Sequence, residues 1–182
     1  IGRLVSLSRF AFMAAFPKRF AEAVIAEVRG VLDDAGQSPF WDAIGRHFFD
    51  MEFAQADARS AADKSFIADL MPKHPIYLPM LPPDARAAVG EVHRDARPAK
   101  RLLVQEGFVY GQQVDIFDGG PTMLARTDNV ASIKNAAHVP VVDTDLEKGE
   151  KALIAAGRLG NFRCCYGARD LSGDGIAIDS SA

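Results

Sequence analysis

Imidazole is the side chain whose unperturbed titration lies nearest neutrality, so the four histidines come first as candidates for moving protons. His93 closes the run Val89-Gly90-Glu91-Val92-His93, at the predicted end of a helix and beside a polar segment. An imidazole there serves as a general acid or base. Equally, it is a helix-end cation favoured by the negative end of the helix dipole. His74 stands in Pro72-Lys73-His74-Pro75, where flanking prolines fix the backbone direction; that suits substrate positioning or a rigid turn. His47, between Arg46 and Phe48, reads as packed or solvent-facing, and His138 lies among no comparable residues. No two histidines have the helical spacing of metal ligands, and no Cys–His cluster exists, so no metal is expected. There is no Gly-x-Ser-x-Gly elbow and no isolated cysteine, so no covalent nucleophile is suggested.

These residues need elements to hold them. The apolar stretch from Leu4 to Phe16 has helical length and is ended by Pro17, with Gly2 at its mouth. The β-branched content of Ala23–Val31 predicts a buried strand, followed by a turn over Asp33-Asp34-Ala35-Gly36. Ser38-Pro39 is a helix start: the hydroxyl accepts an orphan amide, and proline loses nothing at the first helical position. That helix runs to Phe48, and Phe49–Phe53 reads as a short strand. Residues 54–64 form a surface helix or loop, and Phe66–Met71 a short helix closed by Pro72. Pro75–Leu81 reads as an extended edge segment. Helices are expected over Asp84–Val92 and Arg97–Glu106, the second stopped by Gly107. Val109–Phe117 is a strand broken by Gly119-Gly120-Pro121. Further strands are expected at Val139–Val142, Asn161–Tyr166 and Gly175–Ile178, the last two joined by a Ser172-Gly173-Asp174 turn.

With 182 residues the chain fits one domain or two small ones. Its apolar fraction of 48% and charged fraction of 25% are those of a globular protein. A net charge of −3 gives no reason to expect nucleic acid or a membrane as partner. No uninterrupted apolar run is long enough for a membrane span. Adjacent Cys164 and Cys165 provide no disulfide framework, which points to a reducing, cytoplasmic setting. The chain starts at Ile1, and its first residues lack the features of a signal peptide, so it is expected to begin inside a longer protein or to have been processed.

Three words stand out: Gly36-Gln37-Ser38-Pro39-Phe40-Trp41-Asp42-Ala43-Ile44-Gly45-Arg46-His47-Phe48-Phe49, Leu70-Met71-Pro72-Lys73-His74-Pro75-Ile76-Tyr77 and Val114-Asp115-Ile116-Phe117-Asp118-Gly119-Gly120-Pro121-Thr122. Together, in this order, they resemble bacterial arginine N-succinyltransferases, and the resemblance runs from Gly2 to about Thr122. It implies an α/β (α+β) chain with the GNAT-like acyl-CoA N-acyltransferase fold, a mixed sheet flanked by helices. Residues 1–53 would complete an acyl-CoA-binding unit, 54–125 a second α/β unit, and 126–182 a β-rich segment. The implied reaction moves succinyl from succinyl-CoA, a co-substrate and not a resident cofactor, to the α-amine of L-arginine. Ornithine or another amine as acceptor, or a non-catalytic role, are the alternatives, and a homologous subunit is an expected partner.

The resemblance also assigns residues. GNAT folds hold the CoA pyrophosphate in a loop of pattern (Arg/Gln)-x-x-Gly-x-(Gly/Ala), where backbone amides and a helix N-terminus converge on the anion. Gly2 matches its last glycine, with Arg3 beside it. His93 matches the family's proton-donating histidine. Arginine as acceptor calls for carboxylates, because guanidinium is a planar fork. Glu91, Asp115 and Asp118 are candidates, with His74 a further substrate-positioning residue, although Asp118 ahead of Gly119-Gly120 also suits a turn. The succinyl carboxylate needs a cation, for which Lys73, Arg94 and Arg97 lie nearby in sequence.

Overall fold

A computed structural model describes residues 2–62, 65–70, 72–172 and 175–179. Ile1, Lys64, Met71 and the Gly173-Asp174 part of the expected turn lie outside the described residues. Along the chain the helices are α1 (Gly2–Ala15), α2 (Pro39–Ala43), α3 (Gly45–Phe49), α4 (Phe53–Ala62), α5 (Ser65–Leu70), α6 (Pro83–Ala88), α7 (Arg97–Gln105) and α8 (Ala131–Lys134). The strands are β1 (Ala23–Glu27), β2 (Val109–Val114), β3 (Pro121–Arg126), β4 (Val141–Asp143), β5 (Glu150–Ala156), β6 (Arg163–Ser172) and β7 (Gly175–Ile178). They form two compact units, one of Ile1–Val24 with Arg126–Ala182 and one of Ile25–Ala125. Of the expected seams, 125/126 falls at a unit boundary and 53/54 falls inside the second unit.

In the first unit, α1 buries Leu7, Phe10 and Met13, which recur at helical spacing on one face. It packs on α8 and on β5 and β6. Phe12 sets its ring edge-on to Phe162 at 5.1 Å. The sheet order is β4-β7-β6-β5. β5 and β6 pair antiparallel, as do β6 and β7, whereas β4 runs parallel to β7. Strand β5 was not expected from the sequence. The adjacent thiols of Cys164 and Cys165 sit on β6 opposite Ala155 and Ile154, and burial pushes the Cys164 thiol upward.

The second unit has a sheet in the order β1-β3-β2. Its central strand is β3, with Pro121, Thr122, Met123 and Ala125 buried. The sequence reading placed Pro121 in a turn; it is instead the first residue of the strand, where its missing amide is tolerated. The buried strand expected over Ala23–Val31 is shorter and lies at the sheet edge, and Ile25 is 61% exposed. Trp41, Phe49, Phe53, Ala56 and Phe66 form one buried apolar cluster. The Trp41 indole stacks on Phe117 at 5.4 Å and donates to the Met51 carbonyl at 2.9 Å.

The Ser38 hydroxyl accepts the Trp41 amide at 3.1 Å, so the predicted helix start is the observed one. The helix expected to Phe48 divides at Ile44, whose φ of −128° and ψ of −71° are not helical. Gly45 then lies against the Trp41 ring with no space for a Cβ. The strand expected at Phe49–Phe53 does not form: Asp50 adopts a left-handed conformation that stops α3, and α4 begins at Phe53. The extended edge expected over Pro75–Leu81 is instead a segment exposed as far as Met80, with a 3-10 turn at Leu78–Met80 and Leu81 buried.

Candidate functional site

Helix α6 ends at Ala88, earlier than the periodicity predicts. Gly90 has a φ of +76°, which favours glycine, and its amide donates to the Gly119 carbonyl at 2.8 Å. Three residues on, the His93 amide donates to the Arg29 carbonyl at 2.9 Å. Two backbone bonds to distant segments therefore fix the path into His93. The imidazole does not close a helix, as the sequence reading had it; it opens the next turn. Its Nδ1 accepts the Asp95 amide at 3.2 Å and caps the 3-10 turn Arg94–Ala96. The reading of a cation held at a helix C-terminus loses its basis, because that terminus lies several residues earlier.

This cap defines the tautomer. With Nδ1 accepting, a neutral ring carries its proton on Nε2 and offers it as a donor. The Asp95 carboxylate stands 3.7 Å from Nδ1, placed to accompany an imidazolium. The imidazole is 14% exposed and borders a cavity of about 180 Å³ shared with Asp33, Asp34, Arg94 and Arg97. A shielded imidazole beside a small open space is an arrangement that can exchange a proton with a bound molecule.

Behind this loop lies a close crossing of backbones. Asp118 is buried, and its carboxylate accepts the Gly30 amide at 2.7 Å and the Gly120 amide at 2.8 Å. Burial raises its pKa above the ordinary carboxylate value, against the two amide bonds, which lower it. A Cβ on Gly30 would strike the Asp118 backbone, and one on Gly120 would strike the Val28 carbonyl. Asp115 completes the turn, with Oδ1 accepting the Phe117 amide at 2.7 Å. Asp118 thus has both oxygens engaged by the protein's own backbone.

A second cavity, of about 530 Å³, is lined by Glu27, Arg29, Asp57, Asp115, Phe117 and Asp118 among others. Asp115 and Asp118 are therefore brought together at one cavity and His93 at another, with Arg29 bridging them through its carbonyl. Glu91, His74 and Lys73 are exposed and line neither. Gly2 and Arg3 occupy the first turn of α1, in the other unit from His93, and both are exposed. Sequence reasoning missed Gly30 and Asp95. Only the glycine inside a β-branched run hinted at the first, and the second gave no signal. Among the described residues, no group of three His, Cys, Asp or Glu is arranged to hold a metal. No described helix is long and apolar enough to cross a membrane.

A solved structure titled arginine/ornithine succinyltransferase subunit AI from Pseudomonas aeruginosa superposes with a TM-score of 0.86 at 38% identity, covering 98% of this chain and 52% of that one. The class is therefore an α+β chain of the GNAT-like kind. Residues 1–132 match the family described as Arginine N-succinyltransferase beta subunit, and residues 137–182 match its C-terminal domain. The chain belongs to the arginine N-succinyltransferase beta-subunit family. An arginine N-succinyltransferase of Enterobacter sp. (strain 638) is 48% identical over 165 residues, 89% of this chain and 48% of the relative. One from Yersinia enterocolitica is 46% identical over 166 residues, with the same coverage. The chain spans about half the length of these relatives.

Proposed function

We propose that this chain supplies the proton-donating part of an arginine N-succinyltransferase. The observation that carries the reading is the His93 imidazole, capped at Nδ1, shielded, and facing a small cavity, in a chain of this family. In the reaction, the α-amine of L-arginine, once deprotonated, attacks the thioester carbonyl of succinyl-CoA. The C–N bond forms, the C–S bond breaks, and the leaving thiolate takes the Nε2 proton of a His93 imidazolium, whose Nδ1 proton faces the Asp95 carboxylate. The attacking nitrogen sheds its second proton as the amide forms, and that proton recharges the imidazole; the proton lost first from the ammonium passes to water, so the step balances. Positioning both substrates supplies much of the acceleration, and the proton transfer roughly 10²- to 10⁴-fold.

The co-substrate is succinyl-CoA, its pyrophosphate held at the mouth of α1 by Gly2 and Arg3. Glu91, Asp115, Asp118 and His74 are the candidates for receiving the acceptor, of which Asp115 and Asp118 share one acid-lined cavity. The setting is cytoplasmic, and a homologous subunit is the expected partner. Ornithine is a second candidate acceptor, because the solved relative is described as an arginine/ornithine succinyltransferase subunit. A panel of arginine, ornithine and lysine with succinyl-CoA tests the reading. Succinylarginine should be the fastest product, and absence of any succinylated amine would refute the assignment.

A further inference from the structure

Two arginines line the His93 cavity, and they are not equivalent. Arg94 is offset by carboxylates on both sides: Nη1 lies 3.8 Å from Asp34, and Nε lies 3.9 Å from Asp95. Asp33, the other acid at the cavity wall, spends Oδ1 on the Ala35 and Gln37 amides at 2.9 and 2.8 Å. Arg97 is different. It is the first residue of α7 and is exposed, and among the described residues its side chain has no ion-pair partner. Among the described residues, Arg97 is thus the arginine at this cavity with no carboxylate at ion-pair distance, while Asp33 keeps its negative charge at the same wall.

Resting on the reaction proposed above, we infer that Arg97 receives the distal carboxylate of the succinyl group and selects a dicarboxylic acyl donor over a monocarboxylic one. Two methylenes separate that carboxylate from the thioester carbon, a span of roughly 4 Å. A cation that recognises it must therefore share a small space with the group that protonates the leaving sulfur. A cavity of about 180 Å³ lined by both His93 and Arg97 meets that requirement. The planar guanidinium offers two parallel donors to a carboxylate, a geometry that lysine cannot reproduce. Lys73, considered for this role from the sequence, does not line the cavity.

The test compares kcat/KM for succinyl-CoA and butyryl-CoA, which has the same four-carbon chain without the terminal carboxylate. Arg97→Gln should lower kcat/KM for succinyl-CoA by about 10- to 100-fold and change that for butyryl-CoA by less than about threefold. Arg97→Lys should recover part of the loss, and Arg94→Gln should leave the ratio between donors near that of the wild type. An Arg97→Gln enzyme that keeps its discrimination, or that loses both donors equally, overturns the assignment of Arg97. A wild-type enzyme unable to transfer succinyl at all refutes the underlying reaction, and is told apart because no variant is then needed.

Discussion

The Asp118 carboxylate accepts the Gly30 amide at 2.7 Å across 88 residues of chain, and its other oxygen takes the Gly120 amide. This contact ties the segment after β1 to the turn before β3. The same segment offers the Arg29 carbonyl to His93, and the same turn offers the Gly119 carbonyl to Gly90. Asp118 is thus a positioning residue for the loop that carries the imidazole, whatever it does for a substrate.

Asp118→Asn leaves an NH₂ facing one of the two amides. It should cost about 2 kcal/mol of stability, read by urea unfolding at neutral pH. The pH dependence has a definite sign. Burial raises the native pKa above the ordinary 3.8, so the native state holds this proton to higher pH than the unfolded chain does. The contribution is therefore greatest below 3.8 and is lost as pH rises through the native value. The wild type's advantage over Asp118→Asn should widen as the medium is acidified toward that range. A gap that narrows would mean that the amide bonds outweigh burial.

Gly30→Ala places a methyl group into the backbone of Asp118. It should destabilise the protein by about 3 kcal/mol, as overpacking of a rigid crossing does. Gly160→Ala is the matched control, because nothing lies within 4 Å of its Cβ position. It should change stability by less than about 0.5 kcal/mol. Thermal unfolding of the two variants distinguishes a tight crossing from a general sensitivity to replacing glycine.

Gly2 has open space around it, with nothing within 4 Å of a Cβ position. Gly2→Val should therefore leave stability within about 0.5 kcal/mol of the wild type. If the mouth of α1 approaches the CoA pyrophosphate, the branched side chain should weaken succinyl-CoA binding roughly tenfold, or about 1.4 kcal/mol. Calorimetry showing undiminished affinity would place the phosphates elsewhere.

Local chemistry was legible in the sequence and distant contacts were not. The Ser38-Pro39 helix start, the Asp33–Gly36 turn and the Gly107 stop, with its φ of +94°, are each decided within a few residues. Edge placement explains why the β-branched run at Ala23–Val31 gave only five residues of strand: composition does not reveal which strand has a neighbour on one side only. The end of α6 depends on Gly90 bonding to Gly119, and the orientation of His93 depends on Arg29. Periodicity carries no trace of either partner, so His93 was singled out by resemblance and its setting is visible only in the structure. The separation of Arg97 from Arg94 was equally hidden, since both are simply basic residues near His93 until their carboxylates are placed.

His93→Asn tests the central claim most directly, since asparagine can still cap the Asp95 amide but has no proton to donate at neutral pH. Steady-state turnover with succinyl-CoA and arginine should fall at least about tenfold, with stability held within about 0.5 kcal/mol. Turnover near the wild-type rate in a fully folded variant would contradict the account and remove His93 from the chemistry.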